Sequence, residues 1–241
     1  MSEPSASPAG HGPDRPVSAG EPPVVAGVRT TRRRGRTSAA KRDALASLLP
    51  RWGIDARGPW PDAVHDATRR PGPVALDIGV GDGAASLAWA RARPDLVVVA
   101  IELHRPGLAK LLQALEREGP QNVRVAEADA TEVVRSCAPG SIHAIRLLFP
   151  DPWPKRRHVG RRIVDRTFVA AAADALGPGG ELHLATDWDD YAEHARSMIA
   201  TERRFEALRP VDRVDRPVTV YEARGIAAGR SITELVHRRR R

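Results

Sequence analysis

Cysteine is almost missing from this 241-residue sequence: Cys137 stands alone, which excludes an internal disulfide framework and any cysteine-rich metal site. No apolar run is long enough to cross a bilayer, and the first residues lack the apolar core of a secretory signal. A cytoplasmic protein without a membrane partner is the expectation. Internal repeats are absent, and so is any metal-ligand spacing. His158, His183 and His194 are scattered, read as surface or core residues, and no metal is expected. Nothing sets an oligomeric state, and a monomer is favoured. What is present is 41% hydrophobic residues, enough for one good-sized core, and a net charge of +8 that points to an acidic partner such as a nucleic acid.

The first 28 residues are Pro, Gly, Ser and Ala with scattered charge, and they bury too little apolar surface to offset the entropy of ordering. Arg29, Arg32, Arg33, Arg34 and Arg36 follow, either as an arm that grips phosphates or as a solubilising tail. Residues 1–40 are expected to form a disordered basic arm and residues 41–241 one domain. A short helix is expected over 41–49, stopped by Pro50, and 52–60 is a Gly/Pro-rich connection.

From residue 73 onward, strand-like and helix-like segments alternate. Strands are expected at 74–78, 96–101, 123–126, 142–148 and 181–185, and helices at 84–93, 108–118, 131–136, 162–176 and 191–203, with the tail over 218–237 supplying the last strands. Residues 177–180 read as a turn. This order means a three-layer α/β/α sandwich with a mostly parallel sheet, whose ligands sit at the carboxyl ends of the strands.

Those ends carry the chemistry. Asp77 is followed by Gly79, Gly81 and Gly83, a turn whose free N–H groups face a ligand. The Gly-x-Gly-x-Gly spacing departs from the dinucleotide pattern and resembles the first motif of class I S-adenosylmethionine-dependent methyltransferases. Glu102 ends the second strand, where a carboxylate accepts both ribose hydroxyls of a nucleoside, whichever nucleoside it is. Asp129, after the third, either takes an adenine amino group or caps the helix that follows.

Asp151 follows the fourth strand in Phe149-Pro150-Asp151-Pro152-Trp153-Pro154, where each proline restricts its predecessor, so Phe149, Asp151 and Trp153 are expected to be extended. Lys155, Arg156, Arg157, His158, Arg161 and Arg162 come next, a positive cluster suited to a polyanion. Asp187 ends the fifth strand. Trp153 and Trp188 flank the site either as packing residues or as platforms for a base.

Taken together these residues resemble the bacterial tRNA (guanine-N7-)-methyltransferase family over about residues 34–236. The specific motif is the stretch from Leu147 to His158. Support comes from residues 101–107, from 185–188, and from 216–225, Arg-Pro-Val-Thr-Val-Tyr-Glu-Ala-Arg-Gly. The resemblance implies a Rossmann-like class I methyltransferase fold and methyl transfer to a guanine of the tRNA variable loop. It implies S-adenosylmethionine contacts at Asp77, Gly79, Gly81, Gly83, Glu102, Asp129 and Asp151, with Asp151 catalytic. Substrate contacts are implied at Lys155, Asp187, Thr219, Val220, Tyr221 and Glu222, and RNA contacts at Arg156, Arg157, His158, Arg161 and Arg162. The family has Glu where Asp77 stands, Lys-Phe where Val220 and Tyr221 stand, and Leu-Gly-His where Ala228, Gly229 and Arg230 stand. The alternatives are another RNA acceptor, a non-catalytic RNA-binding protein of the same fold, and a nucleotide-dependent oxidoreductase that would also use the glycine turn and Glu102.

Overall fold

The structure, a computed structural model, describes residues 38–55, 58, 60–208 and 216–241. The arm expected over 1–40 lies outside the described residues except for its last three, and Ala39 and Ala40 already open a helix.

In chain order the elements are α1 (Ala39–Trp52), α2 (Asp62–Thr68), β1 (Val74–Ile78), α3 (Ala84–Ala92), β2 (Val97–Ile101), α4 (Arg105–Glu118), β3 (Val123–Ala126), α5 (Ala130–Ser136) and β4 (Ile142–Leu148). A 3-10 helix (Arg156–Arg161) follows. Then come α6 (Arg166–Ala175), β5 (Leu176–Thr186), α7 (Asp189–Ile199), β6 (Phe205–Ala207), α8 (Val220–Ala227) and β7 (Thr233–Arg239). One seven-stranded sheet results, in the order β3-β2-β1-β4-β5-β7-β6, with only β7 antiparallel to its neighbours.

Every residue of β1 and β2 is buried, as expected of aliphatic strands covered on both faces. Side chains alternate between those faces. Val74, Leu76 and Ile78 join a core with α2, α5, α6 and α7, whereas Ala75 joins a second core with α1, α3 and α4. Asp77 has the parity of Ala75, so its carboxylate enters the α3 side. Because β1 lies between β2 and β4, the chain turns in opposite directions after β1 and after β4, and a crevice opens there. Among the described residues no helix is long and apolar enough to cross a membrane.

Several boundaries differ from expectation, α4 starting three residues early at Arg105 and α7 ending four early at Ile199. The first helix continues through Pro50 to Trp52: a proline in the last turn removes one hydrogen bond, while buried Trp52, with its indole N–H on Glu116 at 2.8 Å, anchors the end. The sixth helix starts at Arg166, four residues late, because Asp165 caps it by accepting from Phe168 N–H at 2.8 Å. Residues 177–180 lie within β5, yet the register passes from Ile142↔Leu176 to Ala144↔Glu181, so the glycines loop out as an expected turn would. The tail forms α8 before its strand, because Thr219 and Glu222 make a capping box, Glu222 N–H to Thr219 Oγ1 at 3.1 Å and Thr219 N–H to Glu222 Oε2 at 3.4 Å. Only 233–239 meets the expectation of a strand there. Helix α2 and strand β6 were not expected at all; both are short and carry weak periodicity.

Burial pushes the Cys137 thiol up to about 12, and its Sγ lies 3.3 Å from Val133 O. Since the thiolate is the reactive form, Ellman's reagent at pH 8 is expected to label no thiol in the folded protein and one after denaturation. Rapid labelling of the folded chain would contradict this packing.

Candidate active site

A cleft of about 410 Å³ opens over the turn that follows β1. Gly79 and Gly81 form its floor, the start of α4 forms one wall, and Pro217 to Tyr221 form the other. Lys41, Lys110 and Arg224 also border it. Gly83 has φ 80, and a Cβ there would lie 2.3 Å from a Leu111 methyl; a Cβ on Gly107 would lie 2.4 Å from Gly81 O. Small residues therefore let α4 press directly on the turn. Glu102 stands behind it, accepting Gly81 N–H at 2.8 Å and His104 N–H at 2.7 Å. Asp129 caps α5, accepting from Thr131 N–H at 2.9 Å, so the capping alternative is realised.

Asp77 does not turn toward the cleft as a free carboxylate. Its register partner on β4 is Arg146, whose Nη2 lies 2.7 Å from Oδ2 and whose Nε lies 3.1 Å from Oδ1. Ser86 Oγ donates to Oδ2 at 2.7 Å, and the guanidinium stacks 3.9 Å from the Trp89 ring centroid. Both partners are buried, with side-chain exposures of 4% and 3%. Asp77 nonetheless borders the cleft, held in a buried ion pair beneath the glycine turn.

After β4, Phe149 N–H continues the ladder onto Ala185 O at 2.8 Å, and the chain then turns sharply. Phe149 and Trp153 have φ of 53° and 44°, in the left-handed region, so the extended conformation expected before proline is corrected at both. A following proline disfavours right-handed helical angles and leaves the left-handed region open. Such strain persists only where surroundings over-determine it. Here the determinant is Arg162, which is buried, donates from Nε to Pro152 O at 2.9 Å, pairs with Asp190 and lies over the Tyr191 ring. Its assignment as an RNA contact is corrected accordingly: it fastens the loop to α7.

Asp151 is left exposed at the loop's crest. Lys155, Arg156, Arg157 and Arg161 are exposed beside it, with the Arg161 guanidinium 5.0 Å from the Trp153 ring centroid and His158 edge-on to the same ring. Trp153 is therefore half-buried beneath cations. Desolvation and the neighbouring Arg161, Arg157 and Lys155 hold the His158 imidazole below its ordinary value, so it is neutral at pH 7. His183 and His194 are structural: His183 pairs with Glu234 at 2.5 Å and His194 meets Val164 O at 2.9 Å.

The late segment adds a second buried network. Arg216 Nη1 lies 2.7 Å from Glu222 Oε2, its Nη2 pairs with Glu234, and it lies over the Phe149 ring. Glu222 is 0% exposed, so its substrate contact is corrected: it caps α8 and anchors the segment. Val220 and Tyr221, by contrast, are 54% and 52% exposed at the cleft mouth. Asp187, at the end of β5, pairs with Arg230 at 2.7 Å.

The comparisons agree with this geometry. A family model described as "Putative methyltransferase" matches residues 71–235. The tRNA (guanine-N(7)-)-methyltransferase of Halorhodospira halophila is 40% identical over 216 residues, 87% of this chain and 93% of that protein. That of Streptomyces coelicolor is 37% identical over 245 residues, 98% of this chain and 86% of that protein. The chain belongs to the tRNA (guanine-N7-)-methyltransferase family. Solved structures share the methyltransferase fold: the 16S rRNA methyltransferase KamB has TM-score 0.57 at 16% identity, covering 76% of this chain and 95% of that one. The aminoglycoside-resistance methyltransferase NpmB1 has TM-score 0.53 at 18% identity, covering 78% and 95%.

Within this methyltransferase the structure gathers Asp77, Gly79, Gly81, Thr219, Val220 and Tyr221 around one cleft, with Glu102, Asp129, Asp151 and Asp187 following the ends of successive strands. Arg146, Arg216, Glu234 and Arg230 were not singled out as site-forming residues. Arg146 did leave a signal: a lone arginine inside the apolar stretch Ile142–Leu148 needs a carboxylate on an adjacent strand. The register that supplies it, Asp77↔Arg146, is invisible in sequence.

Proposed function

We infer that this methyltransferase transfers a methyl group from S-adenosylmethionine to N7 of a guanine in tRNA, forming 7-methylguanosine. The observation that carries this is the junction after β4: Leu148, its last residue, lines the crevice over the glycine turn, and exposed Asp151 and the basic 3-10 helix follow it directly in the chain. The residues present fit the cofactor. The cleft has the volume of a small-molecule site, and Glu102, an acceptor of about four hydrogen bonds, uses two on backbone N–H groups. Gly79, Gly81 and Gly83 would hold the methionine end and Glu102 the ribose, while Asp77 positions the turn through Arg146. When bound, the cofactor supplies an electrophilic sulfonium methyl.

Guanine N7 has a lone pair and no proton, so the chain needs no general base; it needs in-line placement and charge stabilisation. The methylated base is cationic. Asp151 stabilises that developing charge, and Asp187 accepts from guanine N1–H and the 2-amino group, a pairing adenine does not offer. Tyr221, Val220, Thr219 and Lys155 frame the base, and Arg156, Arg157, His158 and Arg161 hold the RNA. The test is incubation with labelled S-adenosylmethionine and unmodified tRNA, followed by nucleoside analysis. Label in 7-methylguanosine is expected; label in another nucleoside, or none, would sink the assignment.

The division of labour has its own consequence. Replacing Arg157 and Arg161 with Ala is expected to weaken tRNA binding and to make the slope of log K against log salt shallower by roughly 1.4–1.8, two phosphate contacts' worth. Cofactor affinity is expected to be unchanged, since neither residue borders the cleft. Filter binding across a salt series and calorimetry with S-adenosylhomocysteine would show it. Equal losses for both ligands would contradict it.

A further inference from the structure

We propose that Arg230 is a positioning and specificity residue of this methyltransferase, fixing Asp187 and reading guanine O6 beside it. The inference rests on Asp187 being the contact to guanine N1–H and the 2-amino group.

Arg230 reaches Asp187 through Nε, 2.7 Å from Oδ2, with side-chain exposures of 36% and 17%. Its guanidinium lies 5.5 Å from the Trp188 ring centroid, so the head group is held from two sides. The backbone is held as well: Arg230 N–H donates to Gly225 O at 2.9 Å, across a turn in which Gly229 has φ 72. Gly225 is what permits the approach, because a Cβ there would lie 2.7 Å from Asp187 Oδ2. Helix α8 therefore carries Tyr221 and Arg224 on the cleft and, one turn later, Gly225 against Asp187. The methyl-donor cleft and the Asp187 carboxylate are thus set by one rigid element.

Only one oxygen and one nitrogen of the pair are used. Among the described residues, Asp187 Oδ1 and both Nη atoms of Arg230 have no hydrogen-bond partner. Those remaining groups are an acceptor beside fixed donors. Guanine's Watson–Crick edge presents two donors, N1–H and the 2-amino group, beside the acceptor O6, and leaves N7 free to attack. Adenine presents an acceptor at N1 and a donor at the 6-position, so both contacts fail for it. A guanidinium, planar and multiply donating, holds Asp187 and O6 together, whereas a lysine ammonium is a point charge that holds them less well.

The test compares wild type, Arg230→Ala, Arg230→Lys and Asp187→Ala on two ligated tRNAs, one with guanosine and one with 2-aminopurine, which lacks O6 and N1–H, at the methylated position. Arg230→Ala is expected to lower kcat/KM on the guanosine tRNA roughly ten- to hundredfold, and by a smaller factor on the 2-aminopurine tRNA, which keeps only the 2-amino contact to Asp187, so that discrimination shrinks. Arg230→Lys is expected to recover part of it. S-adenosylhomocysteine affinity and Tm are expected to stay near wild type. A loss in Arg230→Ala that is equal on both tRNAs, or no loss at all, overturns the inference. Full activity of Asp187→Ala overturns the underlying assignment of Asp187 too, whereas an inactive Asp187→Ala beside a normal Arg230→Ala overturns the role of Arg230 alone.

Discussion

Asp151→Ala is expected to lower methyl transfer to tRNA by at least roughly 10²- to 10³-fold, the scale for removing a preorganised electrostatic contact to a developing charge. Fold stability should scarcely change, because Asp151 is exposed and the loop that carries it is held elsewhere, by Arg162 on Pro152 O and Asp190. A Tm within about 2 °C of wild type is expected. Asp151→Asn keeps the shape and loses the charge, so it separates electrostatics from packing. If charge is what Asp151 supplies, the Asn variant falls nearly as far as the Ala variant. Near-normal incorporation of labelled methyl by either would remove Asp151 from the mechanism.

Arg146→Ala is expected to destabilise the domain by about 3–5 kcal/mol, because it leaves the Asp77 carboxylate buried with only Ser86 beside it. For a domain of this size that corresponds to a Tm fall of roughly 6–20 °C. The Coulomb gain of the pair only partly offsets its desolvation. The double change Asp77→Leu with Arg146→Met is therefore expected to regain much of the stability, while cofactor binding stays impaired, since Asp77 no longer fixes the turn before Gly79. Denaturant unfolding of the wild type and the two variants, with S-adenosylhomocysteine calorimetry, measures both effects. A loss under about 1 kcal/mol for Arg146→Ala would mean that the pair does not hold the Asp77 carboxylate in the core.

The βα alternation, and with it the sheet and its helical layers, could be read locally because aliphatic runs and capping residues act within a few positions. The same holds for the capping box at Thr219 and Glu222, a short-range signature of a helix start inside the segment expected to be strand. The proline loop, expected to be extended, is left-handed at Phe149 and Trp153. Proline forbids one region of backbone space, and Arg162, ten residues beyond Pro152, helps to select among the rest.

Charged residues were where local reading failed. Arg162 resembles its exposed neighbours Arg157 and Arg161 in every sequence respect, and Glu222 sits in the same motif as exposed Tyr221. Whether a charge faces solvent or a buried partner depends on which distant strand or helix arrives beside it. By itself the sequence determined the fold class, the order of the strand-end carboxylates at Asp77, Glu102, Asp129, Asp151 and Asp187, and the stiff acidic loop with its basic continuation. The tertiary structure alone decided which carboxylates are already spoken for: Asp77 by Arg146, Asp187 by Arg230 and, in α8, Glu222 by Arg216. The reason is physical. Patterning and propensity are properties of neighbours along the chain, whereas an ion pair between residues 69 apart is created by strand register and burial.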